Sequence, residues 1–153
     1  MSDNCTFCKI ICGEVPSWKV WEDENHIAFL TPTPNTPGFT VLITKEHLSS
    51  NIFQLTEERY RSLMRSAYVL SRTLEKALEH TRTALVFEGM GVDHAHVKLI
   101  PLHGIDGGAW KAIEGKSVRF TEIYEGYITS EEGPLMPRER LDEIARKIRD
   151  VVL

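Results

Sequence analysis

The chain has 153 residues, 42% of them hydrophobic and 26% charged, with a net charge of −4 at neutral pH. That length favours one domain with a substantial core, and the acidic balance argues against a nucleic-acid or membrane-surface partner. No apolar run reaches the roughly 18 residues of a membrane span, and the first residues lack the basic and apolar regions of a secretion signal, so a cytoplasmic protein is expected. Its three cysteines all fall at or before Cys12, a poor disulfide framework that a reducing compartment would keep as thiols.

In chain order, Cys5 to Gly13 is compact: Phe7, Ile10 and Ile11 are spaced for a helical turn that Gly13 ends. Trp18–Glu22 and Ile27–Thr31 predict two short strands around the polar turn Asp23-Glu24-Asn25. Prolines at 32, 34 and 37 make residues 31–38 a loop, and Phe39–Thr44 predicts an apolar strand. A long helix follows, capped by Thr56, with Glu57 and Glu58 where the helix dipole favours negative charge. Its stripe of Tyr60, Leu63, Met64, Ala67, Leu74, Ala77 and Leu78 runs to about His80, with Tyr68 and Leu70 off its centre as apolar surface for a second copy to cover.

Ala84–Phe87 predicts another apolar strand, and Gly89-Met90-Gly91 leads into the segment from Asp93 to Pro101. Beyond it, Val118–Thr129 alternates loosely as strand or arm, and Pro137 starts a helix striped by Leu141, Ile144, Ala145, Ile148 and Val151. Four or five strands joined by short turns, with one long helix, predict an α+β domain on an antiparallel sheet. Residues 1–105 would form the domain, and 106–153 an extension packed on it or on a dimer.

Chemistry concentrates at His94-Ala95-His96-Val97-Lys98. In a strand, side chains two apart share a face, so His94, His96 and Lys98 would line one surface with Ala95, Val97 and Leu99 on the other. Imidazoles and an ammonium beside a glycine turn suit an anion such as phosphate. An imidazole with its second nitrogen hydrogen-bonded can attack phosphorus and leave again, with Lys98 and the Gly89–Gly91 backbone spreading the charge. A surface or metal-binding histidine pair is the competing reading.

Cys5 and Cys8 have the spacing to grip one zinc, with His47 and His94 the leading candidates for the other two ligands. A redox pair or two ordinary thiols are the alternatives. Cys12 is expected in the core, and His26, His80 and His103 are expected solvated at turns and ends. Phe7, Ile27 and Phe29 would either wall a pocket for a flat base or simply fill the core.

These pieces together resemble the histidine triad (HIT) family, in its bacterial branch that opens with a Cys-x-x-Cys zinc site. The matching stretches are Cys5 to Ser17, Ala28-Phe29-Leu30, Pro37-Gly38, Thr44-Lys45-Glu46-His47 and His94 to Pro101. The resemblance implies a five-stranded antiparallel sheet, a homodimer joined through the long helix and sheet edge, and a purine-nucleotide substrate. It also implies a nucleotidyl intermediate on His96 and a structural zinc on Cys5, Cys8, His47 and His94. On this reading the protein is a nucleotide hydrolase or transferase acting at the α-phosphate of dinucleoside polyphosphates or nucleoside phosphoramidates. Lys98 stands where the family has its third histidine, Thr31 where many members have a ribose-binding Asp, and Phe39 where many have His. Lys98 and Thr31 favour an alternative, a nucleotide-binding protein that senses or sequesters its ligand. A purely structural metalloprotein is a third reading.

Overall fold

A computed structural model describes residues 4–105 and 133–151. Antiparallel strands β1 (Trp18–Glu22), β2 (His26–Leu30), β3 (Thr40–Thr44), β4 (Thr83–Val86) and β5 (His96–Pro101) form one sheet in the order β1-β2-β3-β5-β4. The helices are α1 (Thr6–Ile11), α2 (Glu57–Ala77) and α3 (Arg138–Arg149), with a 3₁₀ turn at Ile52–Gln54. This is the expected α+β architecture. The stretch Val118–Thr129 lies outside the described residues. None of the described helices is long and apolar enough to cross a membrane.

Strand alternation divides the apolar residues into two layers. Ala28, Leu30, Leu42, Val97 and Leu99 meet Leu63, Ala67, Leu70 and Leu74 of α2 and Leu141, Ile144, Ala145 and Ile148 of α3. Ile27, Phe29, Val41, Ile43 and Ile100 face the other way, onto Phe7, Ile10 and Ile11 around α1. Covered on both faces, β2 and β3 are buried at every residue, which is why they read as continuous apolar runs. Phe39, at the mouth of β3, is buried in the α1 layer.

α2 starts where Thr56 Oγ1 accepts a hydrogen bond from the Arg59 N–H at 3.3 Å, satisfying one donor of the first turn. Two expectations for this helix change. It ends at Ala77, short of His80, and Leu70 is fully buried in the core, leaving Tyr68 exposed on the opposite side. The expected stripe placed Leu70 off its centre, but α3 packs beside α2 and widens the covered face. β1 carries a bulge between Lys19 and Trp21 that brings Trp21 round to the same layer as Trp18 and Val20, against α3.

The hairpin turn between β1 and β2 is tied to α2 by polar groups. Asp23 Oδ1 accepts from the N–H groups of Asn25 (2.8 Å) and His26 (2.6 Å), and Ser66 Oγ on α2 donates to Asp23 Oδ2 at 2.6 Å. His26 joins the cluster through Nδ1, 3.0 Å from Ser66 Oγ, and is buried, contrary to the solvated histidine expected at a turn. His80 is also buried, with Nε2 2.9 Å from Thr83 Oγ1, while His103 is exposed as expected. Cys12, expected in the core, is exposed because α1 ends just before it.

Candidate active site and metal cluster

α1 is only one and a half turns long, yet it delivers both cysteines. Cys5 is its N-cap residue and Cys8 lies one turn along, so both thiols share the face turned to the sheet, where they are buried. His47 follows the end of β3, and His94 lies just ahead of β5, fully buried. One ligand atom from each of these four residues lies within 4.8 Å of the others. His94 Nδ1 is 3.4 Å from Cys5 Sγ, 3.7 Å from Cys8 Sγ and 3.3 Å from His47 Nδ1, and Cys8 Sγ is 3.4 Å from His47 Nδ1. Bond lengths to zinc of about 2.0–2.3 Å place neighbouring ligand atoms about 3.3–3.8 Å apart on a tetrahedron, so the donor set and spacing both fit that ion.

The ring of His94 is already oriented for such a role. Its Nε2–H donates to the Thr44 carbonyl at 2.7 Å, which turns Nδ1, with its lone pair, toward the two sulfurs. Burial pushes the imidazole below its usual pKa, with the neighbouring His47 and His96 adding to that and the Thr44 carbonyl opposing it. A neutral imidazole is the form that binds a metal.

His96 is oriented by a second backbone oxygen. Its Nδ1–H donates to the His94 carbonyl at 2.7 Å, which leaves Nε2 as the nitrogen with a lone pair. The residue is buried, and burial again lowers its pKa, helped by Lys98 and opposed by the His94 carbonyl and Glu88. The Phe7 ring stands edge-on to both histidines, with centroids 5.4 Å from His96 and 5.8 Å from His94.

Of the residues expected at a base pocket, Ile27 and Phe29 are buried in the α1 layer, and half-buried Phe7 packs across Phe29 at 5.7 Å. Phe7 therefore offers more surface to a ligand. Thr31 is buried just past β2, where its hydroxyl accepts from the Thr33 N–H at 3.4 Å in a local turn. Gly89 has φ +69°, and a Cβ there would meet the Ser50 carbonyl oxygen at 2.6 Å, so close backbone packing requires glycine. Gly91 has open space around it.

Lys98 lies on the His96 face of β5, and its ammonium is ion-paired with the Glu88 carboxylate, both side chains being mostly buried. Glu88 escaped the motif reading. The strand register puts it there: Val86 pairs with Lys98, so a residue two beyond Val86 falls toward the same face, near His96. An acidic residue set in an apolar and glycine-rich stretch calls for a partner.

The HIT domain family model matches residues 12–105. The chain belongs to the HIT family. The match begins after Cys5, Phe7 and Cys8, so their place beside His94 rests on the geometry above. The chain is 33% identical over 118 residues to the protein Hit of Bacillus subtilis, covering 72% of this chain and 81% of that one. It is 29% identical over 138 residues to an adenosine 5'-monophosphoramidase of Saccharomyces cerevisiae, covering 84% of each. Among solved structures, a zinc-bound histidine triad family protein from Mycobacterium smegmatis shares the fold at TM-score 0.70 and 21% identity, covering 97% of this chain and 93% of that one.

Proposed function

We propose that this HIT protein is a nucleotide hydrolase or transferase in which His96 Nε2 attacks the α-phosphorus of a purine nucleotide derivative. The observation that carries this reading is the hydrogen bond from His96 Nδ1–H to the His94 carbonyl, which presents an unprotonated Nε2. As the new N–P bond forms, the bond from phosphorus to the leaving group breaks. The leaving group takes the electron pair and a proton from water. Water then attacks the nucleotidyl-histidine, releasing a nucleoside monophosphate, a proton and free His96. Lys98 and the backbone of Gly89 and Gly91 would hold phosphate oxygens, and Phe7, over Ile27 and Phe29, would pack on the base with Thr31 near the ribose. Kinship with an adenosine 5'-monophosphoramidase supports adenosine nucleotides and phosphorus–nitrogen bonds as substrates.

Cys5, Cys8, His47 and His94 would hold a structural zinc. Zinc would cross-link α1 to the sheet, keeping Phe7 over His96 and the His94 carbonyl at His96 Nδ1. A second copy would cover the exposed Tyr68 of α2 and Leu85 of edge strand β4, giving a homodimer.

The Glu88–Lys98 ion pair also favours a second reading, a binder with weakened turnover, because Lys98 already has a counter-charge. Incubation with adenosine phosphoramidates and dinucleoside polyphosphates separates the two. The enzyme reading expects adenosine monophosphate from wild type, and a loss on the order of 1,000-fold in His96→Ala with nucleotide affinity much less affected. Tight binding without product from any substrate, with turnover appearing in Lys98→His, would establish the binder instead.

A further inference from the structure

The end of β5 away from His96 carries a second pair of histidines. Strand register brings them together. Thr83 at the start of β4 pairs with Pro101 at the end of β5, so the residues just outside the strands stay side by side. The Leu102 N–H donates to the Arg82 carbonyl at 2.9 Å, and Thr81 Oγ1 donates to the Ile105 carbonyl at 2.8 Å. Beside these ties the rings of His80 and His103 pack with centroids 5.3 Å apart. In the candidate zinc cluster the rings of His47 and His94 stand 5.1 Å apart, with their Nδ1 atoms at 3.3 Å. The two pairs are spaced alike.

Each ring of this second pair is oriented through Nε2. His103 Nε2–H donates to the Pro37 carbonyl at 2.9 Å and His80 Nε2–H donates to Thr83 Oγ1 at 2.9 Å, so both rings keep the Nδ1 lone pair. Among the described residues, His80 Nδ1 is the one buried side-chain nitrogen or oxygen with no hydrogen-bond partner. Such an orphan has lost its water without gaining a bond, and a ligand is one way to satisfy it. Burial, with His103 adding to it, holds the His80 pKa below its ordinary value and favours the neutral imidazole that a metal requires.

A carboxylate stands next to the pair. α2 closes with the His80 N–H on the Glu75 carbonyl at 3.2 Å, which sets Glu79 at φ 53°. Glycine usually takes that position, and Glu79 is the one non-glycine residue among those described with positive φ. It is exposed, and it shares with His103 the wall of a cavity of about 770 Å³. Of the cations on that wall, Arg140 and Lys147 are paired with Glu143. We propose that His80 Nδ1, His103 Nδ1 and the Glu79 carboxylate form a second metal site, for a divalent first-row transition ion. Two imidazoles and a carboxylate suit zinc, nickel or copper. The three side chains do not converge as the four of the zinc cluster do, so an arriving ion would draw the exposed Glu79 onto the pair, and water would fill its other positions. The site shares no residue with the zinc cluster or with His96.

The test titrates nickel into the zinc-loaded protein by calorimetry, with metal analysis to show that the zinc is retained. Wild type should take up about one nickel ion per chain beyond its zinc. His80→Ala and His103→Ala should each weaken nickel binding by more than about tenfold, and Thr83→Val, which releases the His80 ring, by about tenfold. Glu79→Gly should also weaken it, without lowering Tm, because glycine suits the backbone there. His96→Ala should bind nickel as wild type does. Circular dichroism identifies any variant that has lost its fold. His103 is exposed, so its variant tests the site even if His80→Ala unfolds. No nickel beyond the zinc in wild type, undiminished affinity in His103→Ala, or nickel lost in His96→Ala would each overturn the site.

Discussion

The two faces of the sheet solve the burial problem differently. The face under α2 and α3 is apolar almost throughout: Leu42, Leu63, Leu70, Leu74, Val97 and Leu99 are fully buried there. The face under α1 also buries apolar residues, but it closes over His94, His96, Cys5 and Cys8. Apolar contact is non-directional, so the first face needs only volume and pattern. Buried imidazoles and thiols lose water and need specific partners, so the second face depends on two backbone carbonyls and a four-residue cluster. Stability can come largely from the first face. The proposed chemistry would draw on the second, because its polar groups are held at fixed distances.

Disrupting the metal cluster is expected to give the largest effect on the polar face. Cys8→Ser should lower zinc content from about one ion per chain and reduce stability on the order of 3 kcal/mol, or roughly 10 °C in Tm. Metal analysis with thermal unfolding, with and without a chelator, measures both. Stoichiometric zinc retained in a Cys5→Ser, Cys8→Ser double variant would show that the cluster is not the zinc site.

On the apolar face, Leu70→Ala should cost about 3 kcal/mol through an internal cavity, with bound zinc unchanged. Tyr68, two residues away on the exposed side of α2, is the contrasting probe. Tyr68→Ala should change monomer stability by no more than about 0.5 kcal/mol while weakening self-association. Denaturant unfolding and light scattering separate the two effects. A wild type that is monomeric at micromolar concentration would remove the dimer from the account.

The smallest expected effect tests a polar tie within the apolar side. Burial pushes the Asp23 carboxyl upward, but the Ser66 hydroxyl, the Asn25 N–H and His26 outweigh it and hold the pKa below its ordinary 3.8. A depressed carboxyl pKa lends stability above the unfolded value, and that stability is lost as pH falls through the folded value. Ser66→Ala should therefore cost about 1 kcal/mol near neutral pH, reduced by the partial exposure of Asp23, and the cost should shrink in acid. Urea unfolding of both proteins across the acid range reads this directly. An equal cost at every pH would mean that Ser66 contributes by packing alone.

Much of the fold was legible before any coordinates because its signals are local. The runs expected as strands at Ile27–Thr31 and Phe39–Thr44 form β2 and β3 within a residue of those bounds, and the Thr56 cap and the stripe from Leu141 to Ile148 belong to α2 and α3, all through short-range periodicity. The alternation around His96 likewise placed His96 and Lys98 on one face, with Val97 and Leu99 on the other. Where periodicity misled, a neighbour distant in sequence was responsible: α3 widened the buried face of α2 to include Leu70. The site was only partly legible for the same reason.

The sequence by itself determined which residues have the chemistry: thiols three apart, imidazoles two apart, and a lysine following at the same interval. Tertiary structure decided how those groups are used. The carbonyls of Thr44 and His94 select which nitrogen of each imidazole is left with its lone pair, and a carbonyl has no signature in the residue it belongs to. The Glu88–Lys98 pair and the approach of Cys5 to His94 depend on strand register and on where α1 lands on the sheet. Those are contacts across tens of residues, which only the packed chain brings within bonding distance.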